Sequence, residues 1–158
     1  MINALDLDNG ETCQSILRVQ VEAYRIEADL IDFPIPALFE SARDLPKTAQ
    51  HYYGFFEDKS LLGLIAASDE DQETLDICKL CIDPAHFRKG IARRLLVFLE
   101  QKALRNKKRR IIVSTGSGNS PAIQLYRKQS YKITGIEQIP EGPELTLFEK
   151  RLAIHLHG

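Results

Sequence analysis

The chain has 158 residues, and 44% hydrophobic against 27% charged side chains is the balance of an ordinary water-soluble globular domain. A formal charge of −1, from 21 basic and 22 acidic residues, argues against a protein built to coat nucleic acid. Cys13, Cys78 and Cys81 are too few and odd in number for a disulfide framework, residues 1–10 lack the basic start and apolar core of a signal peptide, and no apolar run approaches the ~18 residues of a membrane span.

One cytoplasmic domain covering 1–158 is therefore expected, with neither membrane nor nucleic acid as partner. Residues 2–5 suit a first short strand. From Glu11 onward Cys13, Ile16, Leu17, Val19, Gln20, Ala23, Tyr24 and Ala28 recur largely at three- and four-residue spacing, the period of one amphipathic helix that must stop before Pro34 and Pro36. The prolines between Asp32 and Pro46 leave a loop with at most a short helix. Residues 51–57 and 61–67 flank a polar tetrad and read as a hairpin, and an acidic turn over 69–73 leads into a third strand over 75–82. The C-x-x-C pair Cys78 and Cys81 falls on that strand, where side chains three apart point to opposite faces, so no shared metal is expected. After Arg88-Lys89-Gly90 a helix carries Ile91, Leu95, Phe98, Leu99 and Ala103 on one face and ends in a basic turn. The basic run from Lys102 to Arg110 reads as surface charge complementing the helix dipole. A β-branched strand over 111–115 meets the turn Gly116-Ser117-Gly118. Asn119 then caps a helix with Pro121 in its first turn, and strands near 131–137 and 145–152 close the chain. His155 and His157 read as a tail rather than a metal site.

Two units carry chemistry. In Leu80-Cys81-Ile82-Asp83-Pro84-Ala85-His86-Phe87-Arg88-Lys89-Gly90-Ile91-Ala92, a strand runs through a turn into a helix opened by glycine. The amides of a first helical turn have no internal acceptors and sit at the positive end of the dipole, so this corner suits a pyrophosphate, with Arg88 and Lys89 adding charge. The second unit is Asn119-Ser120-Pro121-Ala122-Ile123-Gln124-Leu125-Tyr126.

Together the two units resemble the GNAT superfamily, the acetyl-coenzyme A dependent N-acetyltransferases. That family carries [QR]-x-x-G-x-[GA] followed about thirty residues later by N-x-x-A-x-x-x-Y, here matched by Gly90 and Ala92, then Asn119, Ala122 and Tyr126. The resemblance implies an α/β fold of mixed α+β type, with a twisted, mostly antiparallel sheet of six to seven strands flanked by about four helices. Two strands would splay at the cofactor site. It implies that the pantetheine arm of acetyl-CoA pairs with main-chain groups of Leu80 and Ile82, on either side of Cys81, and that residues 87–92 (Phe87, Arg88, Lys89, Gly90, Ile91 and Ala92) hold the pyrophosphate. Asn119 and Ala122 would join that cofactor set. Phe87 departs from the family's Gln or Arg, and Ser130-Tyr131 from its Gly-Phe. Ser130 is thereby asked to take a left-handed cap that glycine takes more cheaply.

Tyr126 is the implied general acid for the leaving thiolate, since a phenol of pKa about 10 is protonated at pH 7. An acceptor ammonium of pKa about 10.4 must lose a proton at a cost of about 4.6 kcal/mol at pH 7, so a base is useful. Asp76, four residues before Leu80 and on the same strand face as Cys78 and Leu80, is the first candidate, with Glu73 and His51 as alternatives. Tyr24, Glu27 and Phe33 lie where the family's variable helices cover the acceptor, and carboxylates beside aromatics suit a cationic amine. The expected activity is transfer of acetyl to a primary amine, without a metal. A non-catalytic acyl-CoA-binding module and a different acyl donor stand as alternatives, and such domains often pair as homodimers.

Overall fold

The structure is a computed structural model that describes residues 1–153; the tail histidines lie outside them. Seven strands form one sheet in the order β1-β2-β3-β4-β5-β7-β6. They are β1 (Ile2–Ala4), β2 (His51–Glu57), β3 (Ser60–Asp69), β4 (Thr74–Ile82), β5 (Arg110–Gly116), β6 (Lys132–Gln138) and β7 (Glu144–Arg151). Neighbours run antiparallel except β4 and β5. That one parallel pair needs a crossover, which α2 (Ile91–Arg105) provides.

Helix α1 (Gly10–Ile31) starts on Asn9, whose side chain accepts from the amide of Thr12, and ends on Asp32 in the left-handed region. It covers one face of the sheet, burying Cys13, Ile16, Val19 and Tyr24 against Leu64, Ala66 and Cys81. Helices α2 and α3 (Ser120–Lys128) cover the other, where Leu95, Leu96, Leu99 and Tyr126 meet Ile65, Ile77, Ile111, Val113 and Phe148. About four helices were expected and three α-helices form among the described residues. Pro36 and Pro46 sit in the first turns of two short 3-10 segments, Pro36–Phe39 and Leu45–Thr48, and the segment between α1 and β2 winds no further.

The sheet has one local fault with large effect. Ala66 pairs with Lys79 and Ala67 with Ile77, so Cys78 is an extra residue in β4. The bulge changes the phase of the strand. Leu75 and Ile77 face α2, Cys78 and Lys79 both turn to the α1 side with Cys81, and Leu80 and Ile82 return to the α2 side. Simple alternation therefore fails twice. Asp76, opposite Ser68, shares the α1 face with Cys78 but not with Leu80, and the two thiols of the C-x-x-C share a face instead of opposing.

Candidate active site

Strands β4 and β5 pair only from Thr74↔Arg110 to Ile77↔Val113 and then part. From Cys78 to Ile82, β4 keeps β3 on one edge and has no strand on the other. On that edge the main chain around Leu80 and Ile82 has no strand partner. Helix α1 spans the opening, touching both of its sides. Gln20, Tyr24, Glu27 and Ile31, spaced by four, three and four, form one stripe on it. Gln20 accepts from Lys79 Nζ at 3.1 Å and the Tyr24 hydroxyl lies beside the Cys81 thiol, both on β4. Glu27 Oε1 accepts from Asn119 Nδ2 at 3.0 Å beside Thr115, and Ile31 rests on Gly116, both beyond the gap. The close approach needs glycine at 118, where a Cβ would meet the Leu30 carbonyl oxygen at 2.7 Å.

At the end of the free edge the chain turns through a 3-10 segment, Pro84–His86, into α2. Gly90 is the N-cap of α2 at φ 76, a left-handed conformation that favours glycine, and no side chain caps the helix. The first α-helical bond is from Arg94 N–H to the Gly90 carbonyl, so the amides of Ile91, Ala92 and Arg93 have no intrahelical acceptor. A Cβ at Gly90 would meet nothing within 4 Å. Arg88, itself left-handed at φ 66, and Lys89 are exposed beside these amides. Charge, dipole and open space coincide. Phe87 is 44% exposed at the end of the turn and supplies no donor there.

Tyr126 is buried on α3, and its position follows from how the helix ends. Ser130 takes the left-handed cap at φ 70, its amide donating to Arg127 and that of Tyr131 to the Tyr126 carbonyl, the paired bonds of a Schellman motif. The same motif lays the Tyr131 ring edge-on against Tyr126, centroids 5.5 Å apart, while Phe148 packs at the same distance. Tyr131 is fixed in turn, its hydroxyl donating to Glu100 Oε2 at 2.8 Å, with Lys150 donating to Oε1 at 3.0 Å. Burial, then the charges of Glu27 and Cys81, pushes the Tyr126 phenol well above its ordinary value. The Cys81 thiol is pushed up to about 12, chiefly by burial. Glu27 is raised by burial, against hydrogen bonds from Asn119 and Thr115 that lower it.

Tyr24, Glu27, Cys81, Asn119 and Tyr126 thus come together around the opening. Asn119 Oδ1 caps α3 by accepting from Ala122 N–H, and its amide group is engaged with Glu27 and Thr115. Phe33 is partly exposed just past α1. Asp76 lies in the paired half of β4, raised by burial and by Glu70, and the structure does not bring it to Tyr126. Glu73 pairs with Arg109 before β4 begins. His51 lines a cavity of about 400 Å³ with Tyr53, Asp69 and Lys102 toward the C-terminal end of α2. Thr115 and Gly118 were not singled out by sequence. A glycine turn was legible, but nothing local says that a helix about ninety residues earlier lies against it. Among the described residues no group of three His, Cys, Asp or Glu is placed to share a metal.

A seven-stranded mixed sheet that opens beside an uncapped, basic helix terminus, with helices on both faces, defines an α/β protein. The model of the acetyltransferase (GNAT) family matches residues 14–131, and the chain belongs to that family. It is 32% identical over 149 residues to the UPF0157 protein YqkA of Bacillus subtilis (strain 168), covering 94% of this chain and 43% of that protein. Over 85 residues it is 31% identical to a streptothricin acetyltransferase of Escherichia coli, 54% of this chain and 49% of the other. The chain spans about half the length of these curated relatives. A solved structure of YncA from Salmonella typhimurium with its cofactor acetyl-CoA shares the fold, with a TM-score of 0.74 at 16% identity over 100% of this chain and 96% of that one. No helix among the described residues is long and apolar enough to cross a membrane.

Proposed function

We propose that this chain transfers an acetyl group from acetyl-CoA to the nitrogen of a primary amine by direct attack. The observation that carries the reading is the free edge of β4 at Leu80 and Ile82, running into the uncapped terminus at Gly90 with Tyr126 and Glu27 across the gap. The edge adds an extended arm as a further strand, and the amides after Gly90 with Arg88 and Lys89 take the pyrophosphate. The acetyl-CoA in the YncA structure and the substrate named for the Escherichia coli relative support the choice of donor and of a nitrogen acceptor.

Tyr126 donates the proton that sulfur needs. Its raised pKa keeps it protonated throughout the neutral range but makes it a weaker acid in water. The leaving thiolate meets the same burial. Burial pushes the Cys81 thiol of this pocket up, and the same desolvation makes a thiolate expelled here a stronger base than in water, which favours its taking the proton from Tyr126.

The test is thiol release from acetyl-CoA across a panel of streptothricin, an aminoglycoside, a polyamine, amino acids and peptides, with Tyr126→Phe alongside. Turnover with one amine class, reduced about 10²-fold or more in the variant, supports the reading. An unchanged kcat at all pH values removes the role of Tyr126. Thermal stabilisation by acetyl-CoA without turnover for any amine leaves an acyl-CoA-binding module.

A further inference from the structure

We infer that Glu27, on α1, is the base that takes the proton from the acceptor's ammonium group. The inference rests on the acetyl-transfer reading and deepens it. Three observations lead to it.

The carboxylate reaches from α1 across the opening and is held on its far side. Asn119 Nδ2 holds Oε1 at 3.0 Å, and the same Asn119 caps the helix that carries Tyr126. Seven residues of α-helix separate cap and phenol, about 10 Å along the axis, so Glu27 on α1 is held by the N-cap of the helix that carries the acid. Each lies within the other's electrostatic reach, as the influence of Glu27 on Tyr126 and on Cys81 shows.

Glu27 has no cation. Among the described residues no Lys, Arg or His forms a salt bridge with it, and its hydrogen-bond partner Asn119, like the neighbouring Thr115, is neutral. Of the other half-buried or buried carboxylates among the described residues, Glu40 and Glu100 each hold a lysine, Asp83 and Glu149 each meet an arginine, and Asp76, which also lacks a cation, lies in the paired half of β4. A half-buried carboxylate left without a counter-charge is costly unless a cation arrives with the ligand.

The rival bases are elsewhere, Asp76 on the paired half of β4, Glu73 beyond its start and His51 at the far cavity. The ionisable groups that face Glu27 are Tyr24 on its own helix, Cys81 on β4 and Tyr126 on α3, all neutral at pH 7 with pKa values raised.

In this setting burial raises the carboxyl and lowers the ammonium, so the two pKa values approach and the neutral pair becomes accessible. One N–H proton passes to Glu27 and on to solvent. The freed lone pair attacks the thioester carbon, the C–N bond forms and the C–S bond breaks with its electrons on sulfur. Tyr126 protonates that sulfur and is reprotonated by the second proton leaving nitrogen. Ammonium and thioester thus become amide, thiol and one released proton.

The experiment compares Glu27→Gln, which keeps the size and one acceptor oxygen, with the parent on an amine the parent acetylates, measuring kcat, KM and acetyl-CoA binding by thermal shift from pH 6 to 9.5. We expect unchanged acetyl-CoA binding, a kcat about 10²–10³-fold lower at pH 7, and a rate that climbs about tenfold per pH unit toward the amine's own pKa. An acceptor that is already neutral at pH 7 should lose far less. Glu27→Asp should keep part of the rate. A parent that is active beside a Glu27→Gln variant of equal kcat, or one altered only in KM with an unchanged pH profile, overturns the inference alone. A parent silent toward every amine overturns the acetyl-transfer reading first and this one with it.

Discussion

Lys79 is 6% exposed, yet its ammonium is fully engaged, with Glu40 Oε1 and the Tyr52 hydroxyl both at 2.6 Å and Gln20 Oε1 at 3.1 Å. An ammonium has three protons, and all are accounted for. Lys79→Met keeps the stem and removes the charge, leaving three acceptors behind. Gln20 is wholly buried, and an unsatisfied buried oxygen costs about 1–3 kcal/mol. Glu40 is 18% exposed and recovers part of its solvation, so the expected total is about 3–4 kcal/mol, the lower end for breaking a buried pair. For a chain of this length that lowers Tm by roughly 10 °C. Because the damage comes from stranded partners rather than a lost attraction, Lys79→Met with Glu40→Met should regain the share due to the unpaired Glu40 carboxylate, while the buried Gln20 and Tyr52 stay unpaired. Urea and thermal unfolding of parent, single and double variants decide the matter. A single variant within about 1 kcal/mol of the parent, or a double variant no better than the single, would refute the argument.

Gly118→Ala drives a methyl into the backbone of Leu30 at 2.7 Å, which no rotamer can relieve. It should raise the amine KM and lower kcat while acetyl-CoA binding changes little, as steady-state kinetics and thermal shift would show. Ser130→Gly relieves a left-handed non-glycine residue and should stabilise the protein by roughly 1 kcal/mol in urea unfolding. No gain would mean that the serine side chain contributes something the cap geometry does not show.

Elements with strong local signals were legible in the sequence. The hairpin of β2 and β3, the β-branched run of β5, the glycine start of α2 and the Asn119 cap of α3 all stand where the residues put them. Even the left-handed Ser130 followed from a missing glycine. Fidelity was lost where geometry depends on distant partners. Two-residue alternation has no means of announcing an extra residue at Cys78, because the bulge exists only relative to β3, and one such shift moved Asp76 away from Leu80. Glu27 was found as an acid among aromatics, but its bond to Asn119 spans 92 residues, and its lack of a cation is a property of the folded neighbourhood.

The span of α1 across the opening has a thermodynamic consequence. Past Ile77 and Val113 the two halves of the sheet exchange no ladder bonds, and side chains of one helix hold them in register. The β4 amides of 78–82 that point away from β3 should therefore exchange with deuterium faster than those over 74–77. On the proposed function a bound thioester arm would fill the missing course of the sheet, and at a hundred times its Kd a ligand adds about 2.7 kcal/mol to folding. On that proposal the polypeptide is a β-structure short of one strand, which the donor would complete. The resistance of the protein to unfolding and proteolysis should rise and fall with the supply of its own donor.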